Sequence, residues 1–534
     1  MKKLFYNGEI ITVDKANSTH QAIMIEDEKI VFVGSTQKAL KYIDEETETV
    51  DLSGCAVLPG FVDCHIHMAV AEAKTGKEIY LTPENGVKST ADILEAVEKA
   101  VKSQQDGGWV VCSAYNHESL SEMRHITIDE LDSVAPNNPV MLIHKSGHMS
   151  VCNSAAFRLA EKSGLQFPSE HVVKNAEGRR SGLLKETAHF MMLAKSPVVP
   201  GDEALIAGIE RFCKRLTGAG ITSCHDAGGY GGTTYRSLQL AKEGGKLKNR
   251  VYTMLWTLFG KEAQIQNART MIDSGFYTGF GDKLLKKGPL KLMVDGSAVG
   301  GTCATKDPVL PKMKIFPTTF SQKELDDIFC EAHRAGFQLT AHAAGDKAIE
   351  MTINAYEKAM EKFPRKDPRH RIEHCFLCPE DLMPKIKALG LIPIPNPGFL
   401  SVWGSVFQKY YGDRIENVIP LRGFEEYGIM TPFGSDAMVI DEFEPLFGIA
   451  AAMERRDLKS GEIVGESQRI DFMRALRGYT IFGAYASFEE NIKGSLEVGK
   501  LSDIVILSNS ILDKTPEKIR RTKVMETYIG GKIQ

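Results

Sequence analysis

Apolar and polar residues alternate in short stretches at both ends of this chain. Residues 1–56 show the pattern with turn signals at Asn7-Gly8 and Ser53-Gly54. The tail repeats it in Ile504-Val505-Ile506-Leu507 and in Val524 to Ile529, ahead of Gly530-Gly531. A period of two bounded by Gly and Asn predicts strands. Strand signals at both ends of a mixed middle predict one small β-sandwich assembled from 1–56 and 490–534, flanking a central unit at 57–489.

Within that unit, strand-like runs that end in polar residues alternate with helical stretches. The runs are Val57 to Asp63, Gly220 to Asp226, Arg250 to Trp256, Leu290 to Asp295, Phe337 to His342, Arg371 to His374, Leu391 to Pro395 and Met430 to Asp436. Apolar residues spaced three and four apart predict helices over 321–335 and 346–362. Strand and helix in alternation, eight times over, predict an α/β fold, a (β/α)8 TIM-like barrel. The gap after the first run is too long for one crossover. Residues 70–215 are therefore read as an inserted subdomain with strands of its own at Trp109 to Cys112 and Pro139 to His144. Insertions after barrel strands land on the catalytic face.

Composition narrows the class of protein. The 534 residues are 43% hydrophobic and 25% charged, with a formal net charge of −4. That balance lacks the basic footprint of a nucleic-acid binder. No apolar run is long enough for a membrane span, and the N-terminal lysines precede no signal-like core. The ten cysteines are scattered, with a single C-x-x-C at Cys375 and Cys378. This usage predicts buried thiols in a cytoplasmic protein. The expected partner is a small-molecule substrate; a homodimer is expected from base rates.

The chemistry lies where the runs end. His65 and His67 close the first run two residues apart, so they share a face and can chelate one ion. His342, His374 and Asp436 end three further runs, the barrel position from which catalytic groups come. Lys291 faces the same interior, where an unpaired ammonium is costly. Either it pairs with Asp295, or CO2 converts it to a carbamate able to bridge two metal ions. His225-Asp226 at the end of the second run reads as structural or as support for a ligand. Tyr115, His117 and Trp403 are pocket walls or packing residues, and Asp295 either orients a ligand or pairs with Lys291.

These residues sit in recurring motifs: Leu-Pro-Gly-Phe-Val-Asp-Cys-His-Ile-His (58–67), Lys-Leu-Met-Val-Asp-Gly-Ser (291–297), His-Ala-Ala-Gly-Asp-Lys-Ala (342–348), Arg-Ile-Glu-His (371–374), Gly-Ser-Asp (434–436) and Gly-Ser-Leu-Glu-Val-Gly-Lys-Leu-Ser-Asp-Ile-Val (494–505). Together they resemble the amidohydrolase superfamily, most closely its amidohydrolase-3 branch of formamide-deformylase-like, metal-dependent hydrolases, over nearly the whole chain. The resemblance implies that His65 and His67 bind a buried metal and that His342 and His374 bind a second. It implies that a carbamylated Lys291 bridges them, while Asp436 touches the first metal and the nucleophile. The segment around His148 and the Gly-Leu-Leu-Lys-Glu ending at Glu186 resemble the branch's inserted motifs. Two departures stand out: Cys375 follows Glu-His where Ala-Gln is usual, and Asn396-Pro397 replaces a common Gln-Pro.

The implied cofactor is a divalent metal, zinc by its imidazole and carboxylate ligands, in one or two copies. The implied reaction is hydrolysis of an amide-type C–N bond, with Asp436 moving the proton and His148 helping to polarise the carbonyl. Tyr115, His148, Glu186, Asp295 and Trp403 form the expected substrate-binding set. A deaminase, cyclic-amide hydrolase or ester hydrolase is the alternative within the same chemistry; a non-catalytic metal-binding or regulatory protein lies outside it.

Overall fold

The computed structural model describes residues 2–534 apart from 74–77, 104–106, 198, 311–312, 438, 513 and the side chain of Glu78. Seven parallel strands form its central sheet: Phe61–Ile66, Ile221–Asp226, Arg250–Leu255, Leu285–Met293, Leu339–Ala343, Arg371–His374 and Ile392–Ile394. Each pairs with the next in chain order, as a TIM-like barrel requires.

The expected eighth strand, Met430 to Asp436, is extended but forms no ladder. Pro432 has no N–H to donate, and Asp436 has a φ of +57°, so regular pairing fails there. The segment still occupies the eighth place. Cys64 N donates to Phe433 O at 2.9 Å, Asp436 N to His65 O at 2.7 Å and Gly434 N to Pro395 O at 3.1 Å. Irregular hydrogen bonding on both sides leaves the barrel nearly closed.

The first strand also differs from expectation. The apolar run from Val57 breaks at Gly60 into two strands of different sheets. Ala56–Pro59 pairs with Glu9–Ile11 and Ile504–Leu507, and only Phe61–Ile66 enters the barrel. A Cβ at Gly60 would collide with the Thr222 side chain, so the passage between the sheets needs glycine.

Helices cover the barrel where the periodicity predicts them. Gln322–Arg334 begins with a capping box, Ser321 accepting from Glu324 N while the Glu324 carboxylate accepts from Ser321 N. It buries Leu325, Ile328, Phe329 and Ala332 in a core shared with Leu339, Ala341 and residues of the helix Asp346–Lys362. Each such large side chain contributes about 1.5–3 kcal/mol.

Residues 78–185 hold their own six-stranded sheet, with Glu78–Tyr80, Val110–Tyr115, Val140–His144, Met149–Cys152, Arg180–Lys185 and Val172–Lys174 side by side in that order. The termini build two more sheets. One has four strands drawn from 2–51; the other has six and mixes Glu9–Ile11, Thr19–His20 and Ala56–Pro59 with Ile504–Leu507, Val524–Ile529 and Lys532–Ile533. Phe5, Ile23, Val57, Ile504 and Tyr528 share one core between them. Arg250 ties this unit to the barrel through a two-pronged bond to Asp503, at 2.7 and 2.9 Å. No helix among the described residues is long and apolar enough to cross a membrane.

Candidate metal centre

His65 is the last residue but one of the first barrel strand and His67 follows its end, and both rings turn a nitrogen towards the Asp436 carboxylate. His65 Nε2 and His67 Nε2 stand 3.6 and 3.5 Å from Asp436 Oδ1. The other nitrogens are occupied. His65 Nδ1 donates to Glu373 Oε2 at 2.5 Å, and His67 Nδ1 donates to Gly228 O at 3.0 Å. Each bond fixes the tautomer that leaves Nε2 as a lone pair. His65 Nε2 and Asp436 Oδ1 are buried with no hydrogen-bond partner. Among the described residues, these three side chains form the group able to hold a metal ion. Buried acceptors converging without a donor are costly unless a cation sits between them, so the residues present fit a divalent metal.

The second expected pair stands next to the first. The His374 ring lies 4.6 Å from His65 and 4.4 Å from His342, centroid to centroid. His374 Nδ1 donates to Asn396 Oδ1 at 2.7 Å, and Asn396 Nδ2 donates to Gly434 O at 3.0 Å. The Asn396 that departs from the family pattern thus orients a ligand candidate. His342 Nε2 donates to Gly296 O at 3.1 Å, which leaves Nδ1 for a cation. Burial, reinforced by neighbouring positive groups, holds all four imidazoles below their ordinary pKa, in the neutral form that ligates.

Backbone strain gathers at the same place. His374 has a φ of +68° and Asp436 one of +57°, both left-handed. In a regular strand Glu373 and His374 would point to opposite faces. The left-handed turn lets both reach His65, one as hydrogen-bond acceptor and one as ring neighbour. Such conformations cost of order 1–3 kcal/mol each and persist where the surroundings impose them.

Lys291 is buried on the fourth strand, and its Nζ donates to Ala227 O at 3.2 Å beneath the Trp256 ring, 4.6 Å away. It forms no ion pair with Asp295 or any other described residue. Asp295 instead accepts from the N–H groups of Ala304, Ala344 and Gly345, and its Oδ1 is 3.6 Å from His342 Nε2. Burial outweighs nearby Glu373 and Asp436 and lowers the lysine to about 8. Burial likewise raises Asp436 to about 6, although Lys291 and His148 oppose it.

A buried charge network supports the centre. Glu373 accepts from Thr340 Oγ1, from Arg371 Nε at 2.8 Å and Nη2 at 3.1 Å, and from His65. Arg371 Nη1 meets His225 Nδ1 at 2.9 Å, so His225 stands three hydrogen bonds from His65, through Arg371 and Glu373. Sequence reasoning gave Glu373 and Arg371 no role, and read Asn396 as a departure near the site bearing on substrate preference rather than as a partner of His374. The readable signal was the opposite charges of Arg371 and Glu373 two residues apart on one barrel-interior face.

The inserted sheet brings His148 over the centre, 6.0 Å from the His342 ring. Its Nδ1 pairs with Glu186 Oε2 at 2.9 Å, and Thr302 Oγ1 donates to Glu186 Oε1. Burial works against a charged His148, but Glu186 outweighs it and raises the ring's pKa. The Tyr115 hydroxyl meets His125 Nδ1 at 3.0 Å behind the cavity wall. Trp403 packs on Phe399 at 5.0 Å and is not among the residues around the cavity. Nine of the ten cysteines are buried, Cys55 partly so, and all are free thiols.

A cavity of about 770 Å³ has Val70 and Ala437 in its lining, residues that follow His67 and Asp436 closely in sequence. Phe190, Phe212 and Phe443 give it an apolar wall, while Asn116 and His144 belong to the inserted sheet's side.

The amidohydrolase family model matches residues 48–534, and the chain belongs to that family. It is 26% identical to N-substituted formamide deformylase of Arthrobacter pascens, over 99% of this chain and 98% of that protein. It is 27% identical to the putative amidohydrolase YtcJ of Bacillus subtilis, over 100% of this chain and 99% of that one. Its fold resembles that of an uncharacterized metal-dependent hydrolase from Pyrococcus horikoshii, with a TM-score of 0.75 and 22% identity over 97% of this chain and 99% of the other.

Proposed function

We propose that this protein hydrolyses an amide-type C–N bond in a small substrate, a formamide or N-acyl compound, with a divalent metal as cofactor. The observation that carries the reading is the convergence of His65 Nε2, His67 Nε2 and Asp436 Oδ1, with Ala437, next in sequence to Asp436, in the lining of a cavity. Similarity to a formamide deformylase supports the bond type. When bound there, a zinc-like ion lowers the pKa of water towards ~7 and polarises a carbonyl oxygen.

The chain's own residues do the rest. Asp436, through the carboxylate oxygen not aimed at the two imidazoles, accepts the proton of the attacking water and returns it to the leaving nitrogen. His148, its protonated form favoured by Glu186, donates a hydrogen bond to the carbonyl oxygen as negative charge develops. Glu373, Gly228 and Asn396 hold the ligating rings in orientation. His342, His374 and Lys291 would hold a second ion. The neutral Lys291 amine adds CO2 to give a carbamate, releasing one proton. In this reading the two terminal sheets form one sandwich and 78–185 the core of an inserted unit that shapes substrate entry.

The test is Asp436→Asn in metal-loaded protein, assayed on N-formyl and N-acyl amides. Turnover is expected to fall by about 10²–10⁴-fold while most of the metal stays bound. Near-normal rates in the variant would refute the role given to Asp436. Absence of turnover by the native protein across the panel would refute the function.

A further inference from the structure

We propose that the strand ends of the inserted sheet beside the cavity form a subsite for an anionic group, a carboxylate or a phosphate, held by Lys185 and by His117, whose ring His144 orients.

Topology assembles the site. Val110–Tyr115 and Val140–His144 are parallel and finish side by side, with Tyr115 paired to His144. Arg180–Lys185 runs antiparallel to Met149–Cys152, with Lys185 opposite Met149. It therefore ends at the same edge of the sheet. Three strand ends thus deliver Tyr115, His144 and Lys185 together, and the turn after Tyr115 adds His117.

The side chains there are basic, and Glu118 and Glu186 offset His117 and Lys185 only through space, without a bond to either. His117 Nδ1 and His144 Nε2 are 3.2 Å apart, and His117 stacks on His125 with centroids 3.8 Å apart and planes 22° from parallel. Tyr115 Oη closes the group on His125 Nδ1. Among the described residues no carboxylate bonds to any of these rings, and Lys185 makes no ion pair. The Lys185 ammonium faces the Phe316 ring at 5.6 Å. Its chain neighbour Glu186 turns away at a φ of +45° and is committed to His148 and Thr302. The nearest acidic side chain in sequence, Glu118, is exposed. Lys145, at the cavity wall, is already matched by Asp441 at 3.3 Å.

The group is reachable. His144, Asn116, Ser119 and Ser146 all border the cavity, and His117 and Lys185 beside them are each partly exposed. His144 accepts from Ser146 N at Nδ1 and so donates from Nε2 to His117 Nδ1, which leaves the Nε2–H of His117 free. An anion entering there would meet that N–H and the Lys185 ammonium, and charge-assisted bonds of this kind are about twice as strong as neutral ones. Burial first, then His117 and Lys185, with His125 and His189 acting on His144 too, keep His125 and His144 down at about 3; burial and Lys185 lower His117 against the opposing charge of Glu118. A bound anion reverses that local field and drives the rings towards the imidazolium form, which gives the experiment its readout.

The test uses full-length, metal-loaded protein with 15N-labelled histidine, titrated separately with inorganic phosphate, N-formylglycine and neutral N-methylformamide. The ring nitrogens of His117 and His144 are expected to shift saturably with an anionic probe and not with the neutral amide. Lys185→Met and His117→Gln should each weaken the apparent affinity by about tenfold or more. Circular dichroism on both variants separates loss of the site from loss of the fold. A response to phosphate assigns the site to a free anion; a response to N-formylglycine alone assigns it to a carboxylate on the substrate. No saturable shift with either anion in the millimolar range, an equal shift with the neutral amide, or unchanged affinity in a folded variant would overturn the proposal. Binding is read without turnover, so this result stands apart from the fate of the hydrolase reading.

Discussion

Replacing Glu373 by Gln removes one charge from the middle of the barrel at almost no change in volume. The carboxylate serves four donors. Oε1 takes Thr340 Oγ1 and Arg371 Nε; Oε2 takes His65 Nδ1 and Arg371 Nη2. An amide offers one acceptor oxygen, so whichever way it turns, two donors face an NH2. Arg371 and Glu373 are both fully buried. A guanidinium left there without its partner costs about 3–5 kcal/mol, although Cys64 O and His225 Nδ1 still accept from it.

The effect on metal is separate. His65 loses the acceptor that fixes its tautomer, and loss of such a partner lowers metal affinity by about 10–100-fold, roughly 1.4–2.7 kcal/mol. Denaturant titration of the metal-free protein reads the first effect. Chelator competition on the folded protein reads the second. Glu373→Gln is expected to lower both. Unfolding free energy within about 0.5 kcal/mol of the native protein, together with unchanged metal affinity, would refute the reasoning.

Two further substitutions probe the barrel. Gly434→Ala places a Cβ 2.7 Å from the His65 backbone nitrogen. It should cost about 1–3 kcal/mol through overpacking and weaken metal binding; an unchanged denaturation midpoint would show that 430–436 is not held against the first strand. Glu489 concerns pH. Burial tends to raise it, but Lys493 at 2.8 Å, Lys286 at 3.1 Å and Ser487 outweigh that and bring it to about 2. Its folded pKa is depressed, so its contribution is complete above the unfolded value near 4.5 and is lost as pH falls towards about 2. The shift corresponds to at most about 3 kcal/mol. The stability gap between native protein and Glu489→Gln should therefore narrow as pH drops through that window, and parallel curves would contradict it.

Much of this protein was legible in local pattern. Period-two alternation located the terminal strands, and three-and-four spacing located the helices at 322–334 and 346–362, because a strand or helix carries its own periodicity. His65 and His67 were readable as a pair for the same reason, since residues two apart on a strand share a face. Gly60 was harder: the apolar run through it is continuous in sequence, and only the Thr222 side chain opposite shows why the chain changes sheets there. The place of 430–436 was visible as the last polar-ended run, but its loss of ladder geometry follows from Pro432 and the left-handed Asp436.

Tertiary structure decided what meets at the site. Glu373 reaches His65 across 308 positions of sequence, and Asn396 reaches His374 because Gly434 O holds its amide. The left-handed φ of His374 puts two consecutive residues on one centre, which no alternation rule foresees. Lys291 was expected either in a pair with Asp295 or as a carbamate; the backbone N–H groups of Ala304, Ala344 and Gly345 took Asp295 and removed the first alternative. Which residues can ligate is set by their chemistry and is written in the sequence. Which lone pairs stay free to ligate depends on the hydrogen bonds made by the far side of each ring, and those partners come from elements brought together only by closing the barrel.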